Sequence, residues 1–193
     1  NRQGGAGSAI NLGSGTTTGG TLTINGAATT SVTVVIALTL PATTAGAATI
    51  NNNNAAAGGA LIFSGMFANS GTGNKNFTLG GSNTGANNFQ SQLINGSGTL
   101  AVIKGGTGTW TLSNDTNAFT GALSVNQGTL TLTSLALSGT NSAGGAGSAI
   151  NIGSGSTTGG TLTINGPATT SVLALIHISE PTRLDVTAYA VFS

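Results

Sequence analysis

Few side chains in this 193-residue chain can move a proton or hold a metal ion. They are Arg2, Lys75, Lys104, Asp115, His177, Glu180, Arg183 and Asp185, with Tyr189 as a weak acid. Their spacing is uneven. His177, Glu180, Asp185 and Tyr189 crowd into residues 173–193 and have the types that general acid–base catalysis uses. Residues 1–172 keep only Arg2, Lys75, Lys104 and Asp115, with no His, Cys or Glu. Paired-carboxylate hydrolysis needs two acids, and a Ser-His-Asp system needs a base. Calcium-binding solenoid repeats need several oxygen ligands with charge among them, an Asp in each turn. A single Asp115 meets none of these demands. The expectation for 1–172 is no enzyme, no catalytic residue, no metal site and no cofactor.

The remaining candidates have plainer readings. Gly13-Ser14-Gly15 and Gly105-Gly106-Thr107-Gly108 lack the Gly-Lys-Ser/Thr and the helix that a phosphate loop requires, so they read as turns. Asp115, in Ser113-Asn114-Asp115-Thr116-Asn117, is expected in an Asx-turn with its carboxylate on backbone N–H groups. Trp110 shares a strand face with Leu112 and is expected in the core. Lys104 closes a strand and is expected to guard a sheet edge. A net charge of +1 is no nucleic-acid footprint.

The elements that must carry these residues are short. Gly (33), Thr (33), Asn (20) and Ser (19) make up over half the chain, and charged residues are 4% against roughly a quarter in an ordinary domain. Strand words of about 4–8 residues lie between Gly, Asn and Ser clusters: Ala9–Leu12, Thr21–Ile24, Val32–Leu40, Ala48–Ile50, Ala60–Phe63, Phe77–Leu79, Gln92–Ile94, Leu100–Ile103, Thr109–Leu112, Leu123–Val125 and Thr129–Leu137. No stretch has helical period, and no apolar run reaches the roughly 20 residues of a membrane helix. The chain does not begin with Met and shows no leader peptide, so it reads as an internal or processed segment.

A long repeat organises the words. Residues 4–32 and 144–172 differ at three of 29 positions, Leu12/Ile152, Thr16/Ser156 and Ala27/Pro167, at an offset of 140 residues. One module and the start of the next are therefore present, as in repeat architectures. Two all-β arrangements fit. An antiparallel β-sandwich is suggested by the Asn-Gly pairs at 25–26, 95–96 and 165–166, which are hairpin signals. A parallel β-solenoid, right-handed β-helix-like, is favoured, because small side chains suit a narrow coil interior. Asn51-Asn52-Asn53-Asn54 is expected to be a polar loop, with stacked corner amides as the alternative. The Thr-Leu-Thr words at 21–23, 129–133 and 161–163 put threonines opposite leucines. Such faces suit ice or glycan contact, but the words recur irregularly. Exposed solenoid ends imply possible self-association.

Residues 104–134, KGGTGTWTLSNDTNAFTGALSVNQGTLTLTS, resemble the autotransporter-associated β-strand repeat. Its loose form is K-x-G-x-G-T-W/L-x-L-S-G-x-N-x-Y/F-T-G-x-T-x-V-x-x-G-T-L-x-L. Lys104, Gly106, Gly108, Thr109, Trp110, Leu112, Ser113, Asn117, Phe119, Thr120, Gly121, Val125, Gly128, Thr129, Leu130 and Leu132 match it. Asn114 stands for the usual Gly, and Leu123 for a Thr. The resemblance implies a secreted or surface-exposed bacterial passenger, a β-solenoid stalk or adhesin-like segment without catalytic residues to carry over.

The C-terminal segment departs from this style. The second copy of the repeat tracks the first to Val172 and then reads LALIHISEPTRLDVTAYAVFS. Leu173–Arg183 resembles LSLIHISEPTR, the translation of a sequencing-library transposon adapter, with only Ala174 different. After a gap of three codons, TAYAVFS matches the adapter's ISYAVFC at four of seven positions. Residues 173–193 therefore read as a non-native tail, and His177, Glu180, Asp185 and Tyr189 as residues without an evolved role.

Overall fold

A computed structural model describes residues 9–12, 19–35, 37–40, 45–147, 149–153 and 159–166, and the backbone of two strands in 173–191. Arg2, Glu180, Arg183 and Asp185 lie outside the described residues. The chain is all-β, a parallel solenoid of about five turns. In order the strands are β1 (Ala9–Asn11), β2 (Thr21–Ile24), β3 (Val32–Val34), β4 (Ala37–Leu40), β5 (Gly46–Asn52), β6 (Leu61–Phe63), β7 (Phe67–Asn69), β8 (Lys75–Gly80) and β9 (Asn88–Phe89). They continue as β10 (Leu100–Lys104), β11 (Thr109–Leu112), β12 (Leu123–Val125), β13 (Thr129–Leu132), β14 (Ile150–Ile152), β15 (Thr161–Ile164), β16 (Leu173–Ile178) and β17 (Val186–Val191).

Successive words fall on three sides in rotation. Side A holds β1-β4-β7, side B runs from β2 through β5, β8, β10, β12, β14 and β16 to β17, and side C runs β3-β6-β9-β11-β13-β15. The antiparallel sandwich is thereby excluded. The Asn-Gly pairs close no hairpin among the described residues, where the one antiparallel pairing is β16 with β17. Backbone hydrogen bonds that a hairpin would make locally run instead to the coil below, 20 or more residues away, as in Gly105 N to Leu79 O at 3.0 Å and Asn126 N to Lys104 O at 3.0 Å. The word Val32–Leu40 is two strands, β3 and β4, because the coil turns a corner inside it. Gln92–Ile94 is not a strand. It follows side A above β7, where Ala118 N reaches Leu93 O at 2.8 Å without a regular ladder. β7 and β9 are strands that the sequence words omit.

Parallel register stacks like on like. Val34, Phe63, Phe89, Leu112, Leu132 and Ile164 form one inward column of side C. Ala48, Phe77, Val102, Leu123 and Ile150 form one of side B. The interior is less uniformly small than composition suggests. Phe63, Phe67, Phe77 and Phe89 meet with centroids 5.3–6.0 Å apart, and Trp110 and Phe119 are fully buried above them. Two of these pairs meet edge to face and two are tilted, and aromatic contact of this kind adds about 0.5–1.5 kcal/mol per pair beyond area burial.

One corner needs glycine. Gly81, Gly106 and Gly128 stack where side B passes to side C, with φ of 96°, 72° and 69°. A Cβ on Gly106 would lie 2.6 Å from the carbonyl oxygen of Gly81. The coils can therefore approach at this corner only without side chains.

Candidate functional site

Lys104 lies inside the stack. Side B register places it in the inward column between Leu79 and Val125, with Ile50 and Ile152 beyond. It is fully buried. Its Nζ donates to the carbonyls of Gly105 (2.8 Å), Gly106 (2.7 Å) and Gln127 (3.1 Å). The expected edge-guarding role is therefore wrong. A lysine long enough to reach the corner brings its three donors to carbonyls of two successive coils, while its methylenes fill the aliphatic column. Burial lowers its pKa from 10.5 to about 8. Lys75 is also buried, in the inward column below Leu100.

Trp110 is buried as expected, and its Nε1 donates to the Gly80 carbonyl of the coil below at 2.9 Å. Asp115 makes different bonds from those expected. One carboxylate oxygen accepts from Thr133 Oγ1 and Ser134 Oγ, each at 2.7 Å, and the Asx-type bond to backbone comes from Asn114, whose Oδ1 accepts from Thr116 N at 3.0 Å. The Ser134 and Thr133 hydroxyls hold the Asp115 carboxyl below its usual pKa. A carboxylate held in this way is a weaker base than a free one. Among the described residues, no three of His, Cys, Asp and Glu gather to hold a metal ion. His177 and Tyr189 occupy strand positions in β16 and β17, with His177 in register with Asn151 and Thr187.

The most developed polar structure is an amide network at the corners. Asn51 and Asn52 close β5, so the expected polar loop is wrong and the corner alternative holds. Asn87, fully buried, accepts from Asn52 Nδ2 (2.6 Å) and Leu61 N (2.8 Å) and donates to Asn83 Oδ1 (3.0 Å) and Thr109 O (2.9 Å). Asn83 in turn donates to Asn54 O at 2.8 Å. Asn117, also fully buried, accepts from Leu93 N (2.8 Å) and donates to Ala143 O (3.0 Å). Each amide answers backbone groups that the turns leave without ladder partners. These amides tie one coil to the next; Asn52 and Asn54 fall in the run offered as corner amides and Asn117 in the family motif, whereas Asn83 and Asn87 carried no signal, because asparagine is equally at home in a solvated turn.

The threonines are more regular than the sequence suggests. Thr109, Thr129 and Thr161 form one outward column of side C, and Thr111, Thr131 and Thr163 the next. Paired threonines are 20 and 32 residues apart along the chain, yet the coils bring them into register. Two rows of hydroxyls about 4.8 Å apart along the axis result.

Residues 102–132 match the family model described as Passenger-associated-transport-repeat. This segment contains Lys104, Trp110, Asn117 and the β10–β13 coils, nearly the stretch on which the sequence resemblance rests. The match covers 31 of the 193 residues, and the parallel solenoid agrees with the fold that the resemblance implies. Neither a curated protein nor a solved structure matches the chain.

Proposed function

We propose that residues 1–172 form a non-catalytic structural segment, a stalk or adhesin-like spacer, of a secreted or surface-exposed bacterial passenger. One observation carries this reading. The chain's polar investment, Lys104 and the buried asparagines, goes into tying each coil to the next, and the described outward faces carry little charge. Each coil adds about 4.8 Å of axial length, so the solenoid is a spacer. Small-angle scattering of the chain should give a rod whose length grows by roughly that amount for every coil inserted. A chain that stays the same length when coils are added would refute the proposal.

A second reading is favoured by the registered columns Thr109/Thr129/Thr161 and Thr111/Thr131/Thr163. A flat hydroxyl array of this kind suits an ordered surface, ice or a glycan. Ice-recrystallisation inhibition and a glycan-array screen test it. On this reading activity is present and Thr131→Lys, which breaks the array from outside the core, removes it. Absence of any activity in the unaltered chain leaves the spacer alone.

We propose further that residues 173–193 are adapter-derived and not part of the natural protein. The support is the match of LALIHISEPTR to translated adapter and the abrupt loss of the repeat after Val172. The pairing of β16 on β14 is compatible with this, since an open parallel edge accepts any alternating apolar word. Long-read sequencing of the source DNA across codon 172 should show a Thr-Val-Val-Ile-like continuation. Genomic LALIHISEPTRL at that point would refute the proposal.

A further inference from the structure

Three Asn-x-Ser/Thr triplets, the acceptor pattern for an N-linked sugar, occur in the chain. They are Asn76-Phe77-Thr78, Asn95-Gly96-Ser97 and Asn114-Asp115-Thr116. A composition this rich in Asn, Ser and Thr yields such triplets by chance, so their places in the fold have to choose among them. A usable acceptor needs an amide that no other group holds, a hydroxyl two residues on that is equally free, and open space for a bulky ring.

Strand β8 meets all three needs. Phe77 is fully buried, with ring centroids 5.5 Å from Phe67 and 5.3 Å from Phe89. Strand alternation then turns Asn76 and Thr78 outward together on side B, and Asn76 is exposed. Register sets Asn76 between Ala47 on the coil below and Ala101 on the coil above, and Thr78 between Thr49 and Ile103. The exposure of Asn76 is thus that of a side face in mid-stack and owes nothing to a chain end. Both alanines stop at Cβ, which leaves room beside the Asn76 amide. Neither that amide nor the Thr78 hydroxyl makes a hydrogen bond among the described residues. The other two triplets are held. Asn95 Oδ1 accepts from Leu100 N at 2.9 Å and Thr120 N at 3.1 Å, and its Nδ2 donates to Thr120 Oγ1 at 2.8 Å. Asn114 Nδ2 donates to Gln90 O at 2.9 Å, and its Oδ1 accepts from Thr116 N at 3.0 Å and from Thr116 Oγ1, its own triplet hydroxyl, at 2.6 Å. A ring on either nitrogen competes with bonds that join neighbouring coils.

We propose that Asn76 is the acceptor of an N-linked sugar, transferred from a glycosyl diphosphate to its Nδ2 and carried outward on side B of the folded solenoid. In the transfer, the bond from Nδ2 to the sugar C1 forms as the bond from C1 to the diphosphate oxygen breaks. The diphosphate leaves with that electron pair, and Nδ2 gives one proton to a base of the transferase. Thr78 supplies the hydroxyl that completes the acceptor pattern. The sugar would stand on a face whose neighbouring outward residues, Ala47, Thr49, Ala101 and Ile103, carry no charge, and would hydrate it. The site stands on the geometry of β8 and holds whether the solenoid is a spacer or a binder.

The full chain, with an unstructured Asn-Phe-Thr tag appended as an internal control, tests this by co-expression in two arms. One arm uses a soluble transferase fed by a nucleotide-diphosphate hexose, the other a membrane transferase fed by a lipid-diphosphate oligosaccharide. Peptide mapping by mass spectrometry then reads each triplet in the folded, soluble fraction. Sugar is expected on Asn76 in at least one arm, and the arm names the donor. Its occupancy should exceed that of Asn95 or Asn114 by at least about tenfold, since a ring at either of those leaves backbone groups without partners. Thr78→Ala, an outward change, should remove the sugar from Asn76, and Thr78→Ser should keep it. With the tag modified, a bare Asn76 in both arms overturns the proposal. So does sugar at Asn95 or Asn114 equal to that at Asn76, or sugar at Asn76 found only in the insoluble fraction.

Discussion

Lys104 shows how one side chain can look like a surface feature in sequence and be a core feature in space. Its methylenes extend the column of Ile50, Leu79, Val125 and Ile152, and its ammonium answers three carbonyls at a corner. Lys104→Met keeps the packing but leaves those carbonyls without a donor, and should cost about 1–3 kcal/mol by denaturant unfolding above about pH 10.5, where the lysine is uncharged in both states, and less at neutral pH, where removing the buried charge offsets the loss. The residue also sets a pH dependence. Its folded pKa, about 8, lies below the ordinary 10.5. Between those values the unfolded chain binds more protons than the folded one, so stability rises with pH across that window and is flat on either side of it. Lys104→Met should abolish the rise. Asp115 has the opposite standing. Its hydroxyl partners lower its pKa at an exposed position, so Asp115→Asn should leave neutral-pH unfolding nearly unchanged.

Among the elements, the corners are more demanding than the strands. Strands β11, β13 and β15 alternate threonine with a large apolar residue, and side C accepts Trp-Thr-Leu, Leu-Thr-Leu and Leu-Thr-Ile in the same register. A corner admits fewer solutions. Asn87→Ala removes a carbonyl and an amide that answer Leu61 N and Thr109 O, and should cost at least about 2 kcal/mol, since each buried group left without a partner costs about 1–3. Gly106→Ala forces an alanine to φ of 72° and drives its Cβ against backbone. The left-handed conformation alone costs about 1–2 kcal/mol, so a lowered thermal midpoint is expected. Thr131→Ser, on the outward face, should change stability by less than about 0.5 kcal/mol.

The whole molecule is held by nearest-neighbour contacts along one axis. Strands β8 to β13 have a coil on both sides, whereas β1, β2 and β3 have one on a single side. Stability of such a stack is a sum of coil and interface terms, and opening proceeds from the ends. Amide hydrogen exchange should therefore be slowest in β8, β10, β11 and β13 and fastest in β1 to β3. Uniform protection across the chain would contradict a one-dimensional stack.

Much of this architecture was legible in the sequence. Strand words separated by Gly and Asn, the absence of helical period and the 140-residue repeat determine an all-β repeat, because alternation and turn chemistry are local properties of the chain. Scarce charge shaped the expectation of a non-catalytic segment for the same reason. Three things were decided only by tertiary structure. The exclusion of the antiparallel alternative to the favoured parallel solenoid was one, because an Asn-Gly turn is compatible with a hairpin or a coil corner until the next coil supplies the hydrogen-bond partner. The burial of Lys104, Asn87 and Asn117 was another, because each has a partner on a neighbouring coil, Gln127 O, Thr109 O and Ala143 O, about 20 or more residues away in the chain. Register was the third. Coils of unequal length bring irregularly spaced threonines into two columns, and set a 140-residue repeat against five coils of 130, because backbone pairing between coils fixes position on a side while loops at the corners absorb any difference in length.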